Sequence, residues 1–499
     1  MSCVLTLDCS TTAAKVVAFD ADGRVLASCR NRLSRSSPEP GWAEQSAESW
    51  WQASAASFAD VIRQLREMGE DEPSGLSITH QRETFVCLDE DGVEVRPGIM
   101  WLDTRAHKQI LEFGNDEIHQ ISGKPAGTTP SIYKLMWLRE NEPEAFARTN
   151  MVLDVHGYLV FRLTGRYVTS TASADPLSML DMTTFTWSPQ LLELAGLNAE
   201  QVPELVSPGS VLGAVSEFAA RESGLPVGMP IVAGAGDGQC AGLGAAVVEQ
   251  GAAYLSLGTS ITIGVNSKNY STSRAYRTLA SPQAGDYTLE ALVAAGALSI
   301  AWFRENIAQL DETSNADEAL STMAETVPPG AHGLLFLPYL TSAESPYWDA
   351  QARGAFIGLG DYHGLADMMR AIFEGLAMET RMLLEAIEEE TQVPISRITV
   401  MGGASRSGIL MQILADVFQR DCSVARETET VALGAGILAA YGVGLEGQTD
   451  LALIVDRMTG LSVTYSPLVD PAVYNKLFAI YKTLYPGLRE TFAALAEFR

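Results

Sequence analysis

An α/β fold of two related halves facing each other across a cleft is the architecture this chain predicts, and three observations predict it. Short β-rich runs alternate with amphipathic helical stretches along the whole length. A strand, a hydroxyl-bearing turn and a second strand occur twice, first around Ser10 to Thr12 and again around Gly258 to Ser260. The 499 residues also exceed the roughly 250 to 300 that one hydrophobic core serves. Two domains are therefore expected, 1–246 and 247–499.

Val4 to Leu7, Val16 to Phe19 and Val25 to Ala27 read as a three-stranded meander, broken by DCSTT and by the Asp22–Gly23 turn. Ala47 to Leu65 reads as a helix. Leu76 to Thr79 is a strand ending in His80, Gln81, Arg82 and Glu83, four polar residues after a buried run. Val86 to Leu88 and Ile99 to Leu102 look like further strands, the latter bringing Trp101 and Asp103 to the same region. Ile132 to Leu138 is helical, and Pro208 to Pro230 reads as a loop with a short helix before a strand into Asp237. In the second half, Ala366 to Glu390 carries apolar residues at helical spacing. Ile398 to Met401 is a strand running into Gly402 and Gly403, followed by a helix through Ile409, Ile413 and Val417. Val431 to Tyr441, with Gly434, Ala435 and Gly436, reads as a closely packed helix, and Asp470–Pro471 opens the last one.

Composition narrows the function. Net charge is −27, with no cluster of Lys or Arg, which argues against a nucleic-acid or anionic-membrane partner. An anionic ligand would have to be held locally, by backbone N–H groups, a metal and a few placed cations. With 47% hydrophobic and 19% charged residues the chain reads as globular throughout. Six cysteines lie far apart, with no CxxC pair, which suits reduced thiols. Met1 to Leu7 leads directly into a strand pattern, and no apolar run reaches about 18 residues, so a cytoplasmic protein is expected.

The stretch IVAGAGDGQCAGLGAA, Ile231 to Ala246, sets one carboxylate, Asp237, between two glycines where an apolar run stops. Functional groups in α/β folds sit at such strand ends. Locally, Asp237 fits a catalytic group and a helix N-cap equally well. Ser10, Thr11 and Thr12, with Lys15 beyond, make an anion cradle from hydroxyls and turn N–H groups, and Gly258, Thr259 and Ser260 form a second. Facing each other, the two turns would clamp a polyphosphate; a chance match of two hairpins is the other reading. The Gly402–Gly403 pair before a helix suits close approach of a nucleotide.

Taken together, these motifs resemble the FGGY family of carbohydrate kinases. Asp8, Thr11, Thr12 and Lys15 fit its first phosphate motif, with Ser10 in place of the usual glycine. GDGQ matches the catalytic base at Asp237, LGTS (Leu257 to Ser260) the second phosphate motif, and GGASRS (Gly402 to Ser407, including Ala404) the adenosine motif. GWAEQ, WLDTRA, SPYWD and ARGAFIGL are also family-like. The resemblance implies an actin/hexokinase-like ATPase fold built from duplicated ribonuclease H-like domains, with ATP and Mg²⁺ as cofactors, a homodimer, and Mg²⁺ near Asp8 and Asp237. Asp237 would take the proton of a sugar hydroxyl attacking the γ-phosphate. Arg82 and Glu83 would hold neighbouring hydroxyls, since a guanidinium only donates and a carboxylate only accepts; a surface ion pair is the plain alternative. Gln81, His80, Trp101 and Asp103 join the expected acceptor site, although a Trp after an apolar strand is as often core.

The sugar is less well marked. HQRET resembles the glycerol kinases, whereas similar xylulokinases have Met-His where Arg82–Glu83 stands and Asn at Gly238. Glycerol kinases have Gln at Gly238, and a substrate Tyr where Thr129 stands. SLGTS, LPYLTSAESPY and ILADVF look closer to the xylulokinase branch, so D-xylulose is expected, with glycerol or another short polyol as the alternative. An actin-like ATPase module that phosphorylates no small molecule is the competing class.

Overall fold

A computed structural model describes residues 2–311 and 314–498. Two sheets organise it. The first runs Val211–Ala214, Pro230–Gly236, Leu76–His80, Cys3–Cys9, Ala13–Asp20, Val25–Arg32. The second runs Arg277–Ala280, Tyr287–Val293, Ile261–Ser267, Ala252–Leu257, Arg397–Met401, Cys422–Ala425, Leu461–Tyr465.

Five strands repeat between them. In each sheet three strands form an antiparallel meander, and its first strand pairs in parallel with the next, which pairs in parallel with a fifth. An outer antiparallel strand closes both. Parallel strands need crossovers, and helices supply them. Ala47–Met68 separates the first meander from its parallel strand, and Leu365–Thr391 does so in the second. Trp50, Trp51 and Phe58 of the former and Met369, Phe373 and Leu376 of the latter are buried, which explains their helical spacing.

The halves meet through the helices Asp237–Gly244 and Thr430–Val443. Gly244 and Gly434 make this possible. A Cβ on Gly434 would lie 1.9 Å from the Cys240 carbonyl oxygen, and one on Gly244 would lie 2.0 Å from that of Thr430. The backbones therefore cross in direct contact, as the expected close packing of Gly434 and Gly436 requires.

Three expectations change. Only Gly98–Ile99 is strand, not Ile99 to Leu102, because the Asp103 N–H donates back to the Met100 carbonyl and turns the chain at Trp101. The Pro208 to Pro230 stretch contains, besides the short helix Glu217–Ser223, the edge strand Val211–Ala214, whose brevity hid it. The helix after Gly402–Gly403 does not start at the glycines: a 3-10 turn, Gly403–Arg406, intervenes, and Ser407 caps the helix Gly408–Phe418. No helix among the described residues is long and apolar enough to cross a membrane, and all six cysteines are free.

Candidate active site

Sheet register gathers the candidate residues. Cys9 and Gly236 both lie opposite His80, so Asp8, the His80–Glu83 segment and Asp237 leave the first sheet along one edge. In the second sheet Ser256 lies opposite Met401, which sets the Gly258–Ser260 and Gly402–Gly403 turns side by side. Gly402 has φ +93°, and a Cβ there would meet the Leu257 carbonyl oxygen at 2.7 Å. Only glycine allows that approach.

Asp237 is the first residue of its helix; the N-cap is Gly236. Its Oδ1 accepts from the N–H of Gly238 at 2.8 Å and from Arg82 Nε at 2.9 Å, and its side chain is 41% exposed. An exposed, oriented carboxylate at a helix start is poised to act on something in the cleft. Two residues on, Gln239 anchors the same turn by donating to the carbonyls of Ala172 and Ala280 and to Asp175 Oδ1. Asp175 in turn accepts from Lys124 Nζ at 2.8 Å and from the Ala280 N–H at 2.9 Å. Through Ala280 that buried pair ties the Asp237 helix to the second sheet.

Arg82 and Glu83 are not a surface pair, and they do not pair with each other. Arg82 joins Asp237 to Glu290, whose Oε2 accepts from Arg82 Nη1 at 2.9 Å. Glu83 pairs with Arg277 at 2.6 Å. Arg277 also meets Glu290 Oε1 at 2.6 Å through Nη2, so the charges alternate as Asp237, Arg82, Glu290, Arg277, Glu83. Glu83 sits at φ +55°, a conformation costly for a non-glycine residue that clusters at functional sites. Sequence reading missed Arg277 and Glu290; both lie on ordinary strands of the second sheet, and nothing local points to the cleft.

Asp8 is short of partners. Its Oδ1 is buried without a hydrogen bond, and burial together with Asp237 and Glu429 pushes its carboxyl up to about 7. Such an atom fits a cation. Among the described residues no group of three or more His, Cys, Asp or Glu is arranged to hold a metal. Mg²⁺ takes one or two carboxylates, with phosphate oxygens and water completing its shell.

The first turn is already engaged. Ser10 Oγ donates to its own turn, at the Ala13 carbonyl. Thr11 Oγ1 accepts from Trp101 Nε1 at 3.0 Å, Thr12 Oγ1 accepts from Arg30, and Lys15 pairs with Glu429 at 2.6 Å. Trp101 is therefore a bridge between the turn and the acceptor region as well as a partly buried ring. Thr259 is exposed. Ser407 Oγ accepts from the Leu410 N–H and bonds Ser321, and Ala404 borders a small apolar pocket with Gly296, Ala297 and Ile300.

Three expected acceptor contacts are buried instead. Asp103 accepts from the Ala43 N–H, and from the backbone and guanidinium of Arg105, on both oxygens. It has no oxygen left for a sugar, which corrects that expectation. His80 is 1% exposed and packs toward His156. Gln81 is equally buried and donates to Gln45 Oε1.

Two like sheets joined through touching helices, with an oriented carboxylate at a strand end of the first and hydroxyl-bearing turns at strand ends of both, fit an ATP-dependent phosphotransferase of the two-lobed kind. Residues 3–244 match the FGGY family of carbohydrate kinases, N-terminal domain, and residues 253–443 match its C-terminal domain. The chain belongs to the FGGY family and is an ATP-dependent carbohydrate kinase, which removes the non-enzymatic ATPase module. It is 28% identical to a xylulose kinase of Staphylococcus epidermidis over 99% of this chain and 98% of that one. It is 31% identical to a glycerol kinase of Thermococcus gammatolerans over 96% of each. The crystal structure of xylulose kinase from Rhodospirillum rubrum superposes with a TM-score of 0.91, at 28% identity, covering 98% of this chain and all of that one.

Proposed function

We propose that this kinase phosphorylates an uncharged short-chain ketose or polyol, with D-xylulose the first candidate, and that Asp237 is the general base. The observation that carries this reading is the exposed Asp237 carboxylate, fixed by Arg82 at 2.9 Å on the edge where Asp8 also emerges. In this reading Asp237 accepts the acceptor's hydroxyl proton as the oxygen attacks the γ-phosphate in line. Arg82 and Glu83 orient the neighbouring hydroxyls. Trp101, tied to Thr11, keeps the acceptor wall in register with the first phosphate turn. The turn N–H groups around Thr11, Thr12, Thr259 and Ser260, with Lys15, bind the phosphates, while Gly402, Gly403 and Ala404 receive the nucleoside. Asp8, with Asp237, would hold Mg²⁺. When bound, Mg²⁺ would neutralise charge on the phosphate oxygens.

Charge balance favours an uncharged acceptor. Arg82 is shared by Asp237 and Glu290, and Arg277 by Glu83 and Glu290, so three carboxylates face two guanidiniums. Neither of these two guanidiniums is left unpaired to bind a sugar acid. Likeness to xylulose kinases over the whole chain supports the ketopentose. The Arg82–Glu83 pair supports glycerol as the second reading, since similar glycerol kinases carry it. We assign the acceptor and the base to residues 1–246 and the nucleoside to 247–499, with the phosphates held from both, and place the enzyme in the cytoplasm as a homodimer, the latter to be checked by sedimentation.

The test is ADP release by the purified protein with ATP, Mg²⁺ and a panel of ketopentoses, glycerol, tetritols and aldonates. Acceleration by D-xylulose well above glycerol and gluconate is expected. A rate that favours an aldonate, or that responds to no acceptor, overturns the reading.

A further inference from the structure

Gly238 departs from both the xylulokinase-like and the glycerol-kinase-like pattern, and its surroundings explain why a side chain is missing there. A Cβ on Gly238 would lie 2.6 Å from Glu290 Oε2, 2.9 Å from Arg82 Nη2 and 3.0 Å from Arg82 Cζ. These atoms are the ends of long side chains, which normally swing aside at little cost. Here they are clamped. Arg82 is held by Asp237 and Glu290, and Glu290 by Arg82, by Arg277 and by the Tyr254 hydroxyl at 3.2 Å.

Glu290 is 0% exposed at its side chain. Burial alone would raise its carboxyl, but Arg82 and Arg277 outweigh that and hold it down at about 2. A buried carboxylate between two guanidiniums fixes both in place, because each charge would be left uncompensated if the other moved. It also belongs to Tyr287–Val293 of the second sheet, while Arg82 and Asp237 follow the strands Leu76–His80 and Pro230–Gly236 of the first. The link therefore crosses the cleft.

We propose that Glu290 is the positioning residue of the acceptor site, and that Gly238 is the space it requires. Through its two oxygens Glu290 holds Arg82 against Asp237 and Arg277 beside Glu83, so that the second lobe sets the geometry in which the acceptor's hydroxyls are read. Arg277 becomes an acceptor-specificity residue by the same connection. The proposal rests on the sugar-kinase reading of this cleft.

The test compares Glu290→Gln, Arg277→Ala, Gly238→Ala and the double variant Glu290→Gln/Arg277→Ala with the wild-type chain. Loss of one buried charged partner is expected to raise the acceptor KM by about tenfold or more. The ATP KM is expected to change less than about twofold, since none of these atoms borders the Gly402–Gly403 turn. Gly238→Ala should reproduce that split, because its methyl displaces the clamp. The double variant should cost little more than the worse single one, as expected of residues acting as a unit. Glu290→Asp, which keeps the charge, should recover part of the acceptor KM. A merely structural Glu290 would instead lower kcat for every acceptor and shift both KM values alike, without rescue by Asp, and that result overturns the proposal. Thermal midpoints without ligand give an independent readout: if the double variant Gly238→Ala/Glu290→Ala is destabilised by the full sum of its two single changes, the steric half of the proposal fails. Should the wild-type chain phosphorylate no acceptor, the functional reading fails by itself, while the midpoints still decide whether Gly238 and Glu290 are coupled.

Discussion

Asp8 and Glu290 are both carboxylates drawn out of water beside the same cleft, and burial acts on them with the same sign. Their outcomes are opposite. Glu290 is enclosed by Arg82 and Arg277 and stays ionised down to about pH 2. Asp8 has an unpartnered Oδ1, faces Asp237 and Glu429, and rises to about 7. The difference separates two uses of a buried charge. Glu290 is satisfied within the protein and serves as a fixed strut; Asp8 is left incomplete, which suits a group whose partner arrives with the nucleotide.

The sharpest way to break this contrast is at the residue between the two. Asp237→Asn removes the proposed base while leaving a side chain of the same shape, and turnover should fall about 10²- to 10⁴-fold with ATP binding largely kept. Stopped ADP release with near-normal nucleotide titration would agree; near-normal turnover would move the base elsewhere. Next in size is Arg82→Ala, which leaves Glu290 and Asp237 each short of a partner. The acceptor KM should rise about tenfold or more and the ATP KM should stay nearly constant. An equal rise in both would take Arg82 out of the acceptor site.

The smallest effect tests Asp8 through stability. A carboxyl raised from 3.8 to about 7 in the fold still binds a proton that the unfolded chain has lost. Stability therefore declines as pH climbs across that window, and the penalty is fully present above about pH 7. Asp8→Asn should raise the thermal midpoint of the ligand-free protein at pH 8 and change it little at pH 4. Mg²⁺ with ADP should stabilise the wild-type chain more strongly at pH 8 than at pH 5, and should stabilise Asp8→Asn less. A midpoint for Asp8→Asn that is indifferent to pH would remove the contrast with Glu290.

Local chemistry determined a good deal of this protein in the sequence. Short apolar, β-rich runs broken by turn residues marked the first meander and the hairpin around Gly258 to Ser260, whose strands are buried on both faces, and helical spacing marked Leu365–Thr391, which buries one face. Gly402 and Gly434 were legible because close backbone approach admits no other residue. Asp237 stood out because it ends an apolar strand. What could not be read was anything that depends on which strand lies beside which. Arg277 and Glu290 are 190 or more positions from Glu83 and Arg82, as their sequence separations of 194 and 208 record. Only the folding of two sheets against each other brings them together. The same separation explains Asp103, whose oxygens look free in sequence until Ala43, 60 residues earlier, takes one of them. Sequence set the elements and the identity of the carboxylate at the strand end; tertiary structure decided which buried charges are compensated, because Coulomb interactions depend on distance in space and not on distance along the chain.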